Sequence, residues 1–177
     1  IGIAAAQGKR VCGYEAPNSQ IAMGANDRKS LLRLNEIARQ AELDRQLSAG
    51  VEIVCDDGVV IQPGVQIGQD TVILPGSILK GNTVIGKNCV IGPNTVIEDS
   101  LVGDGCRINA CQIEQSRLDD QIKIGPFTHV RPNSHLMTGV KIGNFVEVKN
   151  AVVGEHTAVA HLTYVGDSDV GKNVNFG

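Results

Sequence analysis

The sequence predicts a mainly β protein: a parallel β-helix of hexapeptide repeats, wound as a triangular prism and preceded by one α-helix. Three observations carry this reading. From Ile61 onward an aliphatic residue returns about every six positions. The 177 residues include 21 Gly but only three Phe, two Tyr and no Trp. A core without large rings must be filled by Val, Ile, Leu and Ala, which suits thin, regular layers. One stretch alone, 26–50, has the period of a helix.

Taken in order, residues 1–25 mix strand-like pieces such as Arg10–Cys12 with turn residues and carry no period. Residues 26–50, "NDRKSLLRLNEIARQAELDRQLSAG", predict one helix. Asn26 or Asp27 can cap its first turn. Leu31, Leu34, Ala38 and Ala41 recur at spacings of three, four and three, which makes one apolar stripe. Gly50 stands where a helix takes a left-handed stop.

Residues 51–177 predict the solenoid. From Ile61 the chain reads IQPGVQ, IGQDTV, ILPGSI, LKGNTV, IGKNCV, IGPNTV. The heads are Ile61, Ile67, Ile73, Leu79, Ile85, Ile91 and Ile97. The register slips by one near Val102 and six-residue spacing returns at Ile108. It returns again through Ile124, Val130, Leu136, Ile142 and Val148, then Val153, Val159 and Val165, and finally Val170 and Phe176. A small or β-branched residue stands two places before most heads. Helices would need spacings of three and four, and hairpins would need paired turns. A period of six marks a β-solenoid, in which three pieces form a coil of about 18 residues. Coils stack at about 4.8 Å. The heads point inward, and only the stack as a whole buries them. The helix is placed to cover or lead into the first coil. The last residues, "NVNFG", stop in mid-repeat, so the chain is expected to be a truncated piece of a longer solenoid.

Composition narrows the function. A net charge of −3, with 42% hydrophobic and 20% charged residues, gives no global pull toward nucleic acid or an anionic membrane. No apolar run approaches the roughly 18 residues of a membrane span. "IGIAAA" lacks the basic lead of a signal peptide, and without a Met the chain is expected to begin inside a larger protein. Five cysteines, an odd number with no CxxC pair, suggest unpaired thiols in a reducing cytosol. The expected setting is cytoplasmic.

The repeat also works as a ruler. Arg131 follows the inward Val130, and Lys149 follows the inward Val148, one coil later. The two cations are therefore expected on one face, about 5 Å apart at the backbone. Stacked like charges repel unless they fan into water or an anion sits between them. An Arg fork and a Lys point charge suit a phosphate. Tyr164 flanks Val165 and is expected to crown that column, with its hydroxyl available to a sugar or phosphate. His161, in "AHLTY", lies at the corner just before the same face. His156 and His161 have the spacing found in hexapeptide-type zinc carbonic anhydrases, but two coils before His156 stands Asp120, with no histidine near it.

Several longer stretches carry a resemblance. "IGPFTHVRPNSHL", "VKIGNFVEVKNAVVG", "AHLTYVGDSDVGKNVNFG" and the upstream "MGANDR" resemble the bacterial bifunctional N-acetylglucosamine-1-phosphate uridyltransferase/glucosamine-1-phosphate acetyltransferase family. The likeness covers roughly residues 7–177. It implies that the prism is a left-handed β-helix, a sense that spacing alone does not give. It implies that residues 1–25 are the end of a nucleotidyltransferase domain and 26–50 a linker. It also implies acetyl transfer from acetyl-CoA to glucosamine 1-phosphate, followed by uridyl transfer from UTP with Mg2+, in a homotrimer that feeds cell-wall precursors. By the same likeness His161 is the general base, Arg131, Lys149 and Tyr164 bind the sugar phosphate, and Asn175 stands near the sugar amine. Asn26 is then a metal-binding Asn. The family more often has Val where Ala25 stands. The Gly-rich nucleotide loop and the repeats beyond Gly177 are missing here, so this piece is expected to trimerise but not to turn over. Two other readings stay open: another hexapeptide acyltransferase, and a non-enzymatic trimerisation scaffold.

Overall fold

The computed structural model describes residues 2–15 and 23–177, which fall into two compact units, 1–37 and 38–177. In the first unit a five-residue helix, α1 (Gly2–Ala6), precedes the expected one. The strand-like Arg10–Cys12 is irregular coil. Among the described residues no strand pairs with it, and β propensity alone does not hold an isolated strand. The second helix, α2 (Arg28–Ser48), begins where Asp27 Oδ1 accepts the Ser30 N–H at 2.6 Å. That bond makes Asp27, rather than Asn26, the cap. Donation from the Ser30 backbone also holds the Asp27 carboxyl below its ordinary pKa.

The end of α2 departs from the expected stripe. Leu31 is half exposed, and Ala38 and Ala41 are exposed; the buried residues are Glu42, Leu43 and Gln46. The reason is the open end of the solenoid, whose first coil has unpaired carbonyls. Arg39 Nη1 donates to the carbonyls of Asp56 and Val59 at 3.1 and 3.2 Å, and Arg45 Nη2 donates to that of Val65 at 3.2 Å. Gln46 Nε2 donates to Glu42 at 2.8 Å. Alanines could not serve those acceptors. Gly50, at φ +89°, then turns the chain into the first strand.

From Glu52 the chain forms three parallel sheets, the faces of a prism. The first face has eight strands, from Glu52–Ile53 to Asn175–Phe176. The second has seven, from Val60–Ile61 to Tyr164–Gly166, and the third has seven, from Gln66–Ile67 to Asp169–Val170. Each strand pairs with the one a coil away, as in Val72↔Val90 and Ile78↔Val96. The heads stack in register: Ile73, Ile91, Ile108, Ile124 and Ile142 on the first face, and Leu79, Ile97, Ile113, Val130 and Val148 on the second. They are almost wholly buried.

The small residue two places earlier points inward as well. Where it is Ser or Thr, its hydroxyl donates to a nearby carbonyl, as Thr128 does to Gly143 at 2.6 Å and Ser134 to Arg131 at 2.7 Å. Cys89, Cys106 and Cys111 take the same position and are buried and unpaired; Cys111 Sγ meets the Asn109 carbonyl at 2.9 Å, and burial pushes its thiol up to about 11. In nearly every corner the residue just before that small one has positive φ, for example Asn88, Asn94, Gln115 and Asn150. This explains the slips. A five-residue step, as from Ile97 to Val102, drops one corner residue but keeps the left-handed one, so the next head still faces inward.

Charges on the outside are stacked too, and some are paired across coils. Lys80 Nζ meets Glu98 at 2.6 Å on the second face. On the third, Asp119 accepts from Arg117 Nε at 2.9 Å and meets His135 Nε2 at 2.9 Å. Burial opposes ionisation of Asp119, but these two partners together outweigh it and hold its carboxyl below the ordinary 3.8. A depressed carboxylate stabilises the fold above its unfolded pKa and stops doing so as pH falls through the lower folded value. Asp119→Asn should therefore flatten the loss of urea midpoint as pH falls below about 4, relative to the parent chain. Ile97→Ala, which opens a hole in a fully buried column, should cost about 2–5 kcal/mol in urea unfolding, whereas an exposed Leu101→Ala should cost well under 1.

Candidate functional site

His129↔Glu147 and Val130↔Val148 are paired, and the Arg131 N–H donates to the Val148 carbonyl at 2.8 Å. Arg131 and Lys149 thus lie one coil apart on the outside of the second face, as expected from spacing. Tyr164 does not stand over them in the backbone register. Its partner is Glu147, while Gly166 is the partner of Lys149. Tyr164 comes before the inward Val165, whereas Arg131 and Lys149 come after their inward valines, so the columns differ by two residues. The ring nevertheless returns to the cations: a side-chain carbon placed on Gly166 would collide with the Tyr164 hydroxyl and ring. The missing side chain at Gly166 is what lets the phenol lie across the strand toward Lys149.

Glu147 is the residue that spacing missed. Its Oε1 accepts from Arg131 Nη1 at 2.7 Å, and this bond raises the guanidinium pKa further. Arg131 and Lys149 are therefore not a bare pair of cations. Glu147 lies beside them and Glu114 stands one coil below Arg131, while no ion-pair partner is found for Lys149 among the described residues. The unpaired ammonium leaves room for an anion. The signal for Glu147 was available: it is the outward residue before Val148, diagonal to Arg131.

His161 ends the strand Ala158–His161 of the first face, paired with Asn144, and is exposed. The Thr163 hydroxyl donates to the His161 carbonyl at 2.7 Å and fixes the corner between His161 and Tyr164. The imidazole thus sits at the edge where the first face turns into the second. Asn175 is elsewhere: it stacks over Ala158 on the first face. Asn26 is an exposed residue of the first unit. His156 and His161 belong to no group of three metal-ligating side chains among the described residues, so the zinc reading gains nothing.

The corner beside His161 changes character along the stack. Its left-handed position is Gly58, then Gly76, Asn94, Ala110, Phe127, Phe145 and Leu162. A bulky residue with positive φ costs roughly 1–2 kcal/mol, and such outliers gather at functional sites. Phe127 and Phe145 stack with centroids 5.3 Å apart, yet both are more than half exposed, as is Leu162. Between this ridge and Tyr164 runs a groove of about 440 Å3 that also takes in His129 and Glu147. His129 Nε2 is buried there without a hydrogen-bond partner; Glu114 Oε2 is 3.6 Å away.

Comparison with known proteins bears on these same coils. Residues 91–176 match the family model "GlmU-like, C-terminal hexapeptide", and residues 64–99 match "Bacterial transferase hexapeptide (six repeats)". The Bifunctional protein GlmU of Caldicellulosiruptor saccharolyticus is 46% identical over 170 residues, that of Alkaliphilus metalliredigens 39% over 171, and that of Streptococcus agalactiae 38% over 177. The chain belongs to the GlmU-like hexapeptide family. Those alignments take in 96–100% of this chain but only 37–39% of the relatives, so the chain spans under two-fifths of their length. The GlmU-like match covers every candidate site residue except Asn26.

The placement of the phenol in this GlmU-like chain is open to a direct check. Gly166→Ala should keep the fold, since Tyr164 is more than half exposed, but should push the ring off the strand. The Tyr164 ring resonances should shift, with a melting temperature change of no more than about 4 °C.

Proposed function

We propose that these coils bind glucosamine 1-phosphate and help transfer an acetyl group to its amine from acetyl-CoA. The observation that carries this is the stacked Arg131 and Lys149, with the Tyr164 ring folded toward them and His161 across the corner. The Arg fork, held by Glu147, and the unpaired Lys149 would take the phosphate oxygens. Tyr164 would hold a sugar or phosphate oxygen. An ammonium has no lone pair, so the amine must lose a proton before or as it attacks. The exposed His161 imidazole is suited to accept it through a ring nitrogen. The nitrogen then bonds to the thioester carbonyl carbon, the C–S bond breaks, and the thiolate that leaves takes up a proton. Arg131 and Lys149 contribute binding and orientation rather than bond-making. Asn175, on the neighbouring face, would reach the sugar amine of a site completed by another subunit.

The exposed ridge of Phe127, Phe145 and Leu162 supports a homotrimer, because a neighbouring copy would cover apolar surface that water otherwise meets beside the site. Uridyl transfer from UTP with Mg2+ belongs to the longer protein. Asn26 offers a single carboxamide oxygen, well short of the near-octahedral oxygen shell of Mg2+, and no step is routed through it here. No helix among the described residues is long and apolar enough to cross a membrane. A cytoplasmic setting, where acetyl-CoA and UTP are at hand, fits the proposal.

In a full-length enzyme carrying this segment, His161→Ala should lower kcat for acetyl transfer by about 10²–10⁴ with little change in KM. Arg131→Ala and Lys149→Ala should each raise KM for glucosamine 1-phosphate about tenfold or more and leave KM for acetyl-CoA unchanged. Unchanged kinetics in all three variants would leave a scaffold as the better reading.

A further inference from the structure

On the first face, away from the Arg131 column, three cations stand in direct register on successive coils. Arg107 pairs with Lys123, and Lys123 with Lys141. All three are exposed. Among the described residues none has an ion pair or a side-chain hydrogen bond. Stacked cations elsewhere on the prism do find carboxylates one coil away, as Lys80 finds Glu98 and Arg131 finds Glu147. The carboxylates nearest in sequence are turned to other work: Asp104 accepts the Lys87 N–H at 2.7 Å and Asp120 accepts the Asp104 N–H at 2.8 Å. Like charges directly opposite on paired strands destabilise a sheet. The ladder therefore stands at a cost that an anion would relieve.

Beside the ladder the next outward positions hold Asn109, Gly125 and Gly143, so the strand surface is bare beside Lys123 and Lys141. The cations rise along one side of a trough of about 350 Å3. Three rungs at about 4.8 Å span roughly 10 Å. An extended acidic peptide would present same-side carboxylates about 6.8 Å apart, out of step with the rungs. The ladder is also too short to follow a nucleic-acid backbone. Tetrahedral phosphates joined through shared oxygens are compact, carry several negative charges in a short length, and are rich in acceptors for one Arg fork and two ammonium groups. We propose that Arg107, Lys123 and Lys141 form a binding site for a short linear inorganic polyphosphate, of two or three phosphates, independent of the sugar-phosphate site on the second face.

The test is calorimetric titration of the 177-residue chain with inorganic tripolyphosphate, pyrophosphate, orthophosphate and a short poly-glutamate peptide. Tripolyphosphate should bind most tightly and orthophosphate at least tenfold more weakly. The double variant Lys123→Gln/Lys141→Gln should lose at least tenfold in affinity and show a shallower salt dependence. Arg131→Ala should leave this affinity unchanged, which separates the site from the proposed acetyl-transfer site. Without ligand, the double variant should melt higher than the parent, because the repulsion is gone. As a second measure on the parent chain, tripolyphosphate should protect Lys123 and Lys141, but not Lys87, from reductive methylation. Equal binding of orthophosphate, tighter binding of poly-glutamate, undiminished affinity in the double variant, or absence of protection would each overturn the proposal.

Discussion

The structure depends on the lateral backbone hydrogen bond between parallel strands of successive coils. Each strand is only two to four residues long, and its N–H and C=O groups are satisfied by the coils above and below. That pairing locks register, and register turns any sequence position into a column. Isoleucines meet isoleucines, hydroxyls meet carbonyls, and charges meet whatever stands one coil away. A single coil would expose its whole apolar face; only the stack hides it. The open end at the first coil is the place where this bonding would fail, and there α2 supplies Arg39, Arg45 and Gln46 to the free carbonyls.

Columns also explain why the outside of the prism is chemically uneven. Some stacked charges have opposite partners one coil away, as Lys80 has Glu98 and Arg131 has Glu147, and these pairs tie one coil to the next. Two columns leave cations unpaired: Lys149 in one, and Arg107, Lys123 and Lys141 in the other. The corner of Phe127, Phe145 and Leu162 departs in another way. It places bulky apolar side chains in a left-handed conformation where Gly or Asn serves at the base of the same corner. The strained backbone and exposed rings line the same groove as Tyr164. A fold that needed only stability would keep glycine there.

Much of this was legible from spacing, and the misreadings have specific causes. The six-residue period placed the inward heads, including those on either side of the shortened corners. It put Arg131 and Lys149 on one face. It put Tyr164 in the wrong column because a residue before an inward head and a residue after it were treated alike, although they lie two positions apart on the strand. Glu147 stands before its inward head, diagonal to Arg131, so the spacing of the cations alone does not reveal it. The α2 stripe was misjudged because a solenoid end needs donors more than it needs alanines.

By itself the sequence determined that the chain coils, how often it turns a corner, which side chains fill the interior, and which belong to the same coil position. Those features follow from a period, and a period can be read without coordinates. Only the tertiary structure decided which outward side chains meet. Side-chain direction and length act across coils: Arg131 bends to Glu147, and the Tyr164 ring crosses Gly166. It also decided that Asp27, not Asn26, caps α2, and that Glu42 and Gln46 are buried while Ala38 and Ala41 are not. These choices turn on where a neighbouring coil leaves a carbonyl, a carboxylate or a gap, and no repeat length encodes that.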